Sequence, residues 1–160
     1  EIGWCDWSSD VCSSDLEPPT EDPDVPALVP EMSVSDLDAS LDFWCRLIGF
    51  EIRYTRREEG FAYLALGRAH VMLDRLDVGR TWLTGSPEPP LGRGINLEIE
   101  VPDLEAVHGR LTEAGWPLFL EPEEAWYRAD DVLIGVRQLL VQDPDGYLLR
   151  LQTELGRRPA

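Results

Sequence analysis

Two stretches of the chain carry apolar residues at the spacing of an amphipathic helix. In the first stretch they recur at Leu37, Leu41, Trp44 and Ile48. In the second they recur at Leu104, Val107, Leu111 and Ala114. Both sets lie three or four positions apart, which places each set on one side of a helix. The pattern therefore predicts two helices that each pack one face against a core.

The two predicted helices begin and end in the same way. Residues 34–39 read Val-Ser-Asp-Leu-Asp-Ala, and residues 101–106 read Val-Pro-Asp-Leu-Glu-Ala. The polar residues at these starts, Ser35 or Asp36 in one copy and Asp103 in the other, can cap the free N–H groups of a first helical turn. A glycine followed by an aromatic residue ends each helix. This repeat indicates two copies of one structural module.

Strands are predicted around each helix. Runs of strand-forming residues lie at 50–56, 61–66 and 70–74 in the first copy, and at 95–101, 118–120, 136–142 and 147–152 in the second. Between the last two, Asp143-Pro144-Asp145-Gly146 is a strong type I turn signal. The chain is therefore predicted to be of the α+β class, with two βαβββ modules in a pseudo-two-fold repeat. Their mixed and antiparallel strands would form a curved sheet around a cavity, since neither module alone covers both faces of its sheet.

Glycine and proline divide the chain into segments. The predicted domain spans 26–156, with module one at 26–74, a linker at 75–93, module two at 94–154 and a C-terminal tail at 157–160.

Residues 1–25 are predicted to be a disordered tail. They contain eight acidic residues, three prolines and no periodic apolar pattern, so they cannot bury enough surface to offset the entropy of ordering. The string from Trp7 to Leu16 resembles a translated sequencing adapter, so we expect this tail to be an artefact rather than part of the natural protein. Cys5 and Cys12 lie in it, which leaves Cys45 as the one cysteine of the domain. A single cysteine forms no intramolecular disulfide, which fits a reducing cytoplasm, and Cys45 is predicted to be a buried structural thiol.

The excess of acidic over basic residues limits the kinds of molecule that the protein is expected to bind. The chain has 31 acidic residues against 14 basic ones, all of them arginine, for a net charge of −17. Such a surface repels a phosphate backbone, so no nucleic-acid partner is expected. No apolar run approaches the roughly 20 residues of a membrane-spanning helix, so no membrane span is expected either. A cationic small molecule would be attracted, although an acidic surface can also serve solubility alone.

Several motifs, in this order, resemble the vicinal oxygen chelate superfamily of glyoxalases, bleomycin resistance proteins and extradiol dioxygenases. They are Val-x-Asp-Leu at each helix start, Phe43-Trp44, then Leu47-Ile48-Gly49-Phe50, and finally the run Asp-Pro-Asp-Gly-Tyr-Leu-Leu-Arg-Leu at 143–151. The match runs from about Pro26 to Glu154. Within the superfamily the chain is most similar to the bleomycin resistance proteins. That resemblance implies a cytoplasmic homodimer that binds the antibiotic without altering it.

The resemblance also implies where enzymes of the superfamily hold a divalent metal. Counted from the motifs, the four positions are Val29, Met72, Asn96 and Arg150. Valine and methionine offer no hard donor, asparagine is a weak ligand, and arginine repels a cation. The site is therefore predicted to hold no metal and no other cofactor. A shift of one residue along a strand would instead bring in Asp74, Glu98 or Glu100.

Strand alternation predicts the binding cavity. If Asn96 faces the cavity, Glu98 and Glu100 share its side. By the same rule Glu31 and Asp74 share faces with Val29 and Met72. With aromatic residues of the loops added, the candidate ligand-binding residues are Glu31, Met72, Asp74, Trp82, Asn96, Glu98, Glu100, Trp126, Tyr127 and Arg150. Carboxylates beside aromatic rings suit a flat cationic ligand. The alternative is a solvated strand face, with Trp126 covering the core.

No residue is assigned a catalytic role. His70 and His108 are predicted to be ordinary surface or partly buried histidines, and no spacing indicates a catalytic triad. The predicted function is sequestration of a bleomycin-type cationic glycopeptide. Two alternatives stay open. One is a metal-dependent glyoxalase-, dioxygenase- or thiol-transferase-type enzyme of the same superfamily, and the other is a protein that binds an unrelated metabolite.

Overall fold

The computed structural model describes residues 26–79 and 82–160, whose strands form two four-stranded sheets. The first sheet has the order β1-β4-β3-β2, with β1 at Glu31–Val34, β2 at Glu51–Arg56, β3 at Phe61–Leu66 and β4 at Ala69–Arg75. The second has the order β5-β8-β7-β6, with β5 at Asn96–Glu100, β6 at Leu118–Ala129, β7 at Val132–Gln142 and β8 at Leu148–Pro159. In each sheet one edge pair is parallel and the other pairs are antiparallel. The predicted α+β class and repeated modules are confirmed, with one sheet per module.

One main helix in each module follows the first strand. Helix α1 spans Leu37–Leu41 and continues as a π-helix over Asp42–Ile48, while α2 spans Leu104–Glu113. A short 3-10 helix at Arg57–Glu59 links β2 to β3. The π-helical part was not indicated by the sequence pattern. Its buried side chains form two adjacent pairs, Phe43 with Trp44 and Leu47 with Ile48.

The caps of both helices form as predicted. Asp36 Oδ1 accepts hydrogen bonds from two N–H groups of the first turn of α1, and Asp103 Oδ1 accepts one from the first turn of α2. Gly49 ends the first helix with a φ of +108°, a conformation that glycine adopts without steric cost. Of the predicted apolar stripes only Ala114 is exposed, because α2 ends at the residue before it.

The two helices connect the modules. Buried side chains from both sheets and both helices form one continuous apolar core. Within it, the rings of Phe43 and Trp116 lie 4.9 Å apart. Arg110 of α2 donates hydrogen bonds to the carbonyl oxygens of Leu47 and Ile48 at 2.8 and 3.1 Å. Each sheet therefore has one face on the core, and we call the opposite face its open face.

The turn at 143–146, which we call the closing turn of the second module, and the residue after it form hydrogen bonds with the first module. Both carboxylate oxygens of Asp145 lie 3.0–3.1 Å from the N–H of Ser35. Trp44 Nε1 donates to Asp143 Oδ2 at 3.3 Å, and the Tyr147 hydroxyl donates to the carbonyl oxygen of Ser33 at 3.1 Å. Asp143 is buried, and this burial raises the pKa of its carboxyl from 3.8 to about 6. The sequence predicted the turn but not these contacts.

The last three strands are longer than predicted. Strand β6 continues to Ala129 rather than ending at Leu120, and β8 reaches Pro159, so most of the predicted tail at 157–160 is strand. The extended part of β6 has no apolar alternation, because it is an edge strand with few buried side chains. Pro122 and the acidic residues around it are typical of sheet edges.

Some sequence predictions concern residues outside those described. They are the disordered, non-native tail at 1–25 with its two cysteines, and the linker positions 80–81. Cys45 is half-buried, and burial raises the pKa of its thiol. Among residues 26–79 and 82–160, no helix has the length and apolar character needed to cross a membrane.

Candidate functional site

The open face of the first sheet brings together three of the predicted site residues. Glu31 lies beside Met72 in the β1–β4 ladder, and Ser33 lies beside Asp74. The intervening residue Met32 is in the core. Because side chains alternate along a strand, Glu31, Met72 and Asp74 share the open face, as predicted.

A cavity of about 520 Å³ lies at one end of this face. We call it the acidic cavity; its described lining residues are Glu31, Arg56, Glu59, Phe61, Asp74, Gly79 and Trp82. Three carboxylates face one guanidinium, so the lining carries a net negative charge. Arg56 pairs with Glu59 at 2.6 Å and lies 3.8 Å over the Phe61 ring. Trp82 is 76% exposed, which leaves its ring available to a ligand.

The electrostatics of the acidic cavity favour a cation. Burial is the main cause that raises the pKa of Asp74, and Glu59 acts in the same direction. Arg56 opposes both by lowering this pKa. A second cation beside Asp74 would likewise favour the ionised carboxylate, because opposite charges stabilise each other.

The open face of the second sheet carries a polar network. Glu98 forms an ion pair with Arg150 and accepts a hydrogen bond from Gln152 Nε2 at 2.6 Å. The Arg150 guanidinium lies 5.6 Å from the Tyr127 ring. Gln138 Nε2 then donates to the Tyr127 hydroxyl at 2.8 Å. These contacts join the predicted residues Glu98, Tyr127 and Arg150 into one group.

Two buried polar atoms in this network have no partner within the described part of the chain. They are Gln138 Oε1, on a side chain that is 2% exposed, and Arg150 Nε. An acceptor and a donor left without hydrogen bonds are costly unless water or a ligand completes them. Both atoms therefore mark the network as a surface that can accept a polar ligand group.

Trp126 is placed differently from its prediction. It pairs with Gly135, and the ring lies so close that a side chain at Gly135 would collide with it. Arg158 covers the ring at 3.9 Å. Because Trp126 and Tyr127 are adjacent in β6, they point to opposite faces, and only Tyr127 reaches the polar network.

The predicted residues thus fall into two groups rather than one cavity. Glu31, Asp74 and Trp82 line the acidic cavity, and Met72 lies next to it on the same face. Glu98, Tyr127 and Arg150 belong to the polar network, with Asn96 and Glu100 exposed on the neighbouring strand positions. The described lining of the acidic cavity comes only from residues 31–82.

The positions that would hold a metal do not form a suitable donor set. Met72 is paired with Glu31, and Arg150 with Glu98, whereas Val29 precedes β1. Asn96 lies opposite Leu148. Within residues 26–79 and 82–160, no group of three or more histidine, cysteine, aspartate or glutamate side chains is arranged to hold a metal ion. A thioether, an amide and an ion-paired guanidinium do not make a site for a divalent cation.

Several site residues were missed by sequence reasoning. Arg56, Glu59 and Phe61 line the acidic cavity, and Gln138 and Glu123 belong to the polar network. Gln138, which lies near apolar residues of β7, was the clearest available signal, since a buried amide needs partners.

The two histidines differ in burial. His70 is 5% exposed on the open face of the first sheet, where its Nδ1 lies 2.9 Å from the Tyr63 hydroxyl. His108 is half-buried on α2. The prediction of a surface or partly buried histidine therefore describes His108, whereas His70 is a buried, hydrogen-bonded group.

Comparison with known families agrees with this geometry. The model of the Glyoxalase/Bleomycin resistance protein/Dioxygenase superfamily matches residues 28–151. The chain belongs to this superfamily. The match covers both modules and the closing turn, which confirms the superfamily resemblance found in the sequence. A search of curated protein sequences returned no match.

Two solved structures with TM-scores of 0.61 and 0.60 show the same fold. The chain is 22% identical to TioX from Micromonospora sp. ML1, with a TM-score of 0.61 over 81% of this chain and 100% of that one. It is 18% identical to the virulence protein STM3117 from Salmonella typhimurium, with a TM-score of 0.60 over 81% and 97%. A glyoxalase/bleomycin resistance protein/dioxygenase superfamily member from Vibrio splendidus 12B01 is 33% identical over 79% and 97%, with a TM-score of 0.37.

Proposed function

We propose that this superfamily member binds a flat, cationic small molecule at the acidic cavity and sequesters it without making or breaking a bond. Bleomycin-type glycopeptide antibiotics are the ligand class that this proposal names. The observation that carries it is the grouping of Glu31, Glu59 and Asp74 beside the exposed ring of Trp82 in one cavity of about 520 Å³. Carboxylates attract the cation, and the aromatic ring stacks on a planar group.

The charge of the domain supports this proposal. Without residues 1–25 the chain has 23 acidic residues against 14 arginines, and this net charge of −9 raises the local concentration of cations and speeds their association. Inside the cavity, Arg56 already covers one face of Phe61. A bound cation would therefore use Trp82 and the carboxylates rather than the Phe61 ring.

Sequestration needs affinity but no chemistry. The free ligand falls once the protein exceeds the dissociation constant in concentration. A host cell would be protected if the protein acts in its cytoplasm, which is the location we propose. No metal takes part in this proposal, because the donor set described above does not suit one.

We expect the protein to be a homodimer in solution. The acidic cavity and the polar network lie on different sheets of one chain. In a dimer, the open face of the first sheet of one copy would meet the open face of the second sheet of the other copy. The exposed side chain of Tyr54 lies on the edge strand β2, opposite Tyr63 of the open face, and would be covered by such contact. Light scattering coupled to size-exclusion chromatography should give about twice the chain mass of 18.1 kDa. A monomer mass at every concentration would contradict the dimer.

The double substitution Glu31→Gln and Asp74→Asn should weaken binding of metal-free bleomycin by about ten-fold. Each change removes one carboxylate from the cavity wall while keeping its size, and a partly solvated ion pair contributes up to about 1 kcal/mol. Isothermal titration calorimetry on both proteins measures the difference. The affinity of the unmodified protein should also fall as salt is raised, because salt screens charge attraction.

Glu113→Gln with Asp131→Asn is the matched control. It removes the same charge from exposed positions outside the cavity, so it should leave the affinity within about two-fold. Equal weakening by both double variants would mean that only the net charge matters. No saturable heat with the unmodified protein would reject this ligand class. A stoichiometric divalent metal whose removal abolishes an activity would support the enzyme alternative instead.

A further inference from the structure

A second cavity, of about 630 Å³, lies at the other end of the first sheet's open face. We call it the basic cavity; its lining residues are Pro26, Ala27, Gly49, Glu51, Arg53, Ala65, Leu66, Gly67, Arg68 and His70. It shares no described lining residue with the acidic cavity. His70 and Asp74 lie on the same strand four residues apart, which is roughly 13 Å in a β-strand. The two cavities are therefore separate places on one face.

The floor of the basic cavity follows from strand register. Glu51, Ala65 and His70 lie side by side across β2, β3 and β4. The small side chain of Ala65, between the two larger ones, leaves space above it. His70 is buried at one side of this space, whereas Glu51 is exposed at the other.

A β-bulge supplies one arginine to this cavity. The pairing of β2 with β3 is regular up to Ile52 and shifts before Tyr54, so Arg53 is the extra residue. Bulges bend a strand and redirect the side chain at the extra position, and they are frequent next to binding sites. The turn between β3 and β4 supplies the second arginine, Arg68.

These two arginines differ from most others in the chain. Arg56 and Arg150, for example, are held by carboxylates. Within residues 26–79 and 82–160, neither Arg53 nor Arg68 forms an ion pair, a hydrogen bond or a ring contact. In a chain with 31 acidic residues, two arginines without a carboxylate partner that line the same cavity need a reason. An anionic ligand supplies one, because a guanidinium binds carboxylate or phosphate through paired hydrogen bonds.

His70 can add a further donor. When the Tyr63 hydroxyl donates to Nδ1, the ring proton is on Nε2. No acceptor for that Nε2–H is found within the described chain. An anion in the cavity would accept this hydrogen bond, and its charge would favour this tautomer.

We propose that the basic cavity binds an oxyanion, the carboxylate or phosphate group of a small molecule, through Arg53, Arg68 and His70. Glu51 also lines the cavity and opposes the two guanidinium groups, so the charges of Glu51, Arg53 and Arg68 sum to one net positive charge. That balance suits one singly charged anionic group. The proposal does not depend on cation binding at the acidic cavity, since the two sites share no described residue.

Histidine NMR on the full chain tests this proposal. The chain has two histidines, so a His108→Gln variant assigns both ring signals. Sodium acetate and inorganic phosphate are each titrated against chloride at constant ionic strength. The His70 ring signals should shift and saturate, while those of His108 should not. Tighter binding of acetate would indicate a carboxylate ligand, and tighter binding of phosphate would indicate a phosphate ligand.

The double substitution Arg53→Gln with Arg68→Gln should weaken binding of the anion by about ten-fold or more, because it removes both charged donors. Arg57→Gln with Arg128→Gln removes the same charge from exposed positions outside the cavity, and it should change the affinity by less than about two-fold. Both positions of the first pair are exposed, so we expect these variants to fold, which circular dichroism checks.

Three outcomes would overturn the proposal. They are the absence of a saturable His70 shift with either anion, an unchanged affinity in the Arg53 and Arg68 variant, and equal weakening in the control pair. Bleomycin titration of the same variants separates the two sites. Loss of anion binding with unchanged bleomycin binding supports a distinct oxyanion site, whereas loss of both in this variant would count against it.

Discussion

Gly146→Ala should lower the free energy of unfolding by about 3 kcal/mol, the largest effect that we expect from a single methyl group in this protein. Gly146 has a φ of +93°, where an added Cβ is strained. That Cβ would also lie 2.4 Å from Pro90 Cβ and 2.7 Å from Pro90 Cα. Because a backbone atom is involved, rotation of a side chain cannot relieve the collision. The linker would have to move away from the closing turn.

Gly67→Ala is the matched control for this effect. Gly67 also has a positive φ, +56°, but nothing lies within 4 Å of the added Cβ. The free energy of unfolding of this variant should therefore fall by only roughly 1–2 kcal/mol, the cost of a left-handed backbone conformation at a residue with a Cβ. Urea unfolding of the three proteins measures both losses. Equal losses would show that the linker accommodates the Cβ added at position 146 without cost, and would contradict the predicted collision with Pro90.

The stability of the protein relative to its Asp143→Asn variant should fall by about 3 kcal/mol as the pH rises from below 4 to above 6. In the folded protein, burial raises the pKa of Asp143 to about 6, against 3.8 ordinarily. Between these two values the folded state holds a proton that the unfolded state has released. The stabilising contribution is therefore complete below about pH 4, and it is lost as the pH passes the folded pKa.

The Asp143→Asn variant isolates this group from the other carboxyls. An asparagine oxygen can still accept from the N–H groups of Asp145 and Tyr147, as Asp143 Oδ1 does at 3.0 and 2.9 Å. It cannot ionise, so its own pH curve lacks this contribution. Urea unfolding at several pH values, with Asp131→Asn as an exposed control, gives the difference. Parallel curves for the unmodified protein and Asp143→Asn would contradict the raised pKa.

Asp145 and Tyr147 explain how the closing turn can matter for the site. Asp145 accepts a hydrogen bond from the N–H of Ser35, directly after β1, and the Tyr147 hydroxyl donates one to the carbonyl oxygen of Ser33. Glu31 of the acidic cavity lies on the same strand. Two residues of the second module thereby fix the strand that carries a carboxylate of the first.

Local chemistry was sufficient to predict much of the fold. The aspartate caps, the glycine ends and the apolar stripe of the first helix are properties of a few neighbouring residues, and they appear as expected. Strand β3 lies at the predicted residues 61–66. The same logic failed for the outer half of β6, because an edge strand outside the core does not need alternating apolar residues.

The candidate site was predicted only in part. Alternation along one strand placed Met72 and Asp74 correctly on one face, and the ladder then put Glu31 beside Met72. It could not place Trp126, because the number of residues between a loop and a strand does not fix which face a side chain takes. The structure shows that its neighbour Tyr127 is the residue that reaches the polar network.

What the sequence by itself determined is the repeat of two βαβββ modules, the helix boundaries and the membership in the superfamily, since each depends on spacing along the chain. Only the tertiary structure decided which side chains meet. It separated the acidic cavity from the polar network, because the modules form two sheets, and it gathered Arg53, Arg68 and His70 at one end of the first. Those contacts depend on strand register and on a bulge, which residues distant in sequence set together and no local pattern encodes.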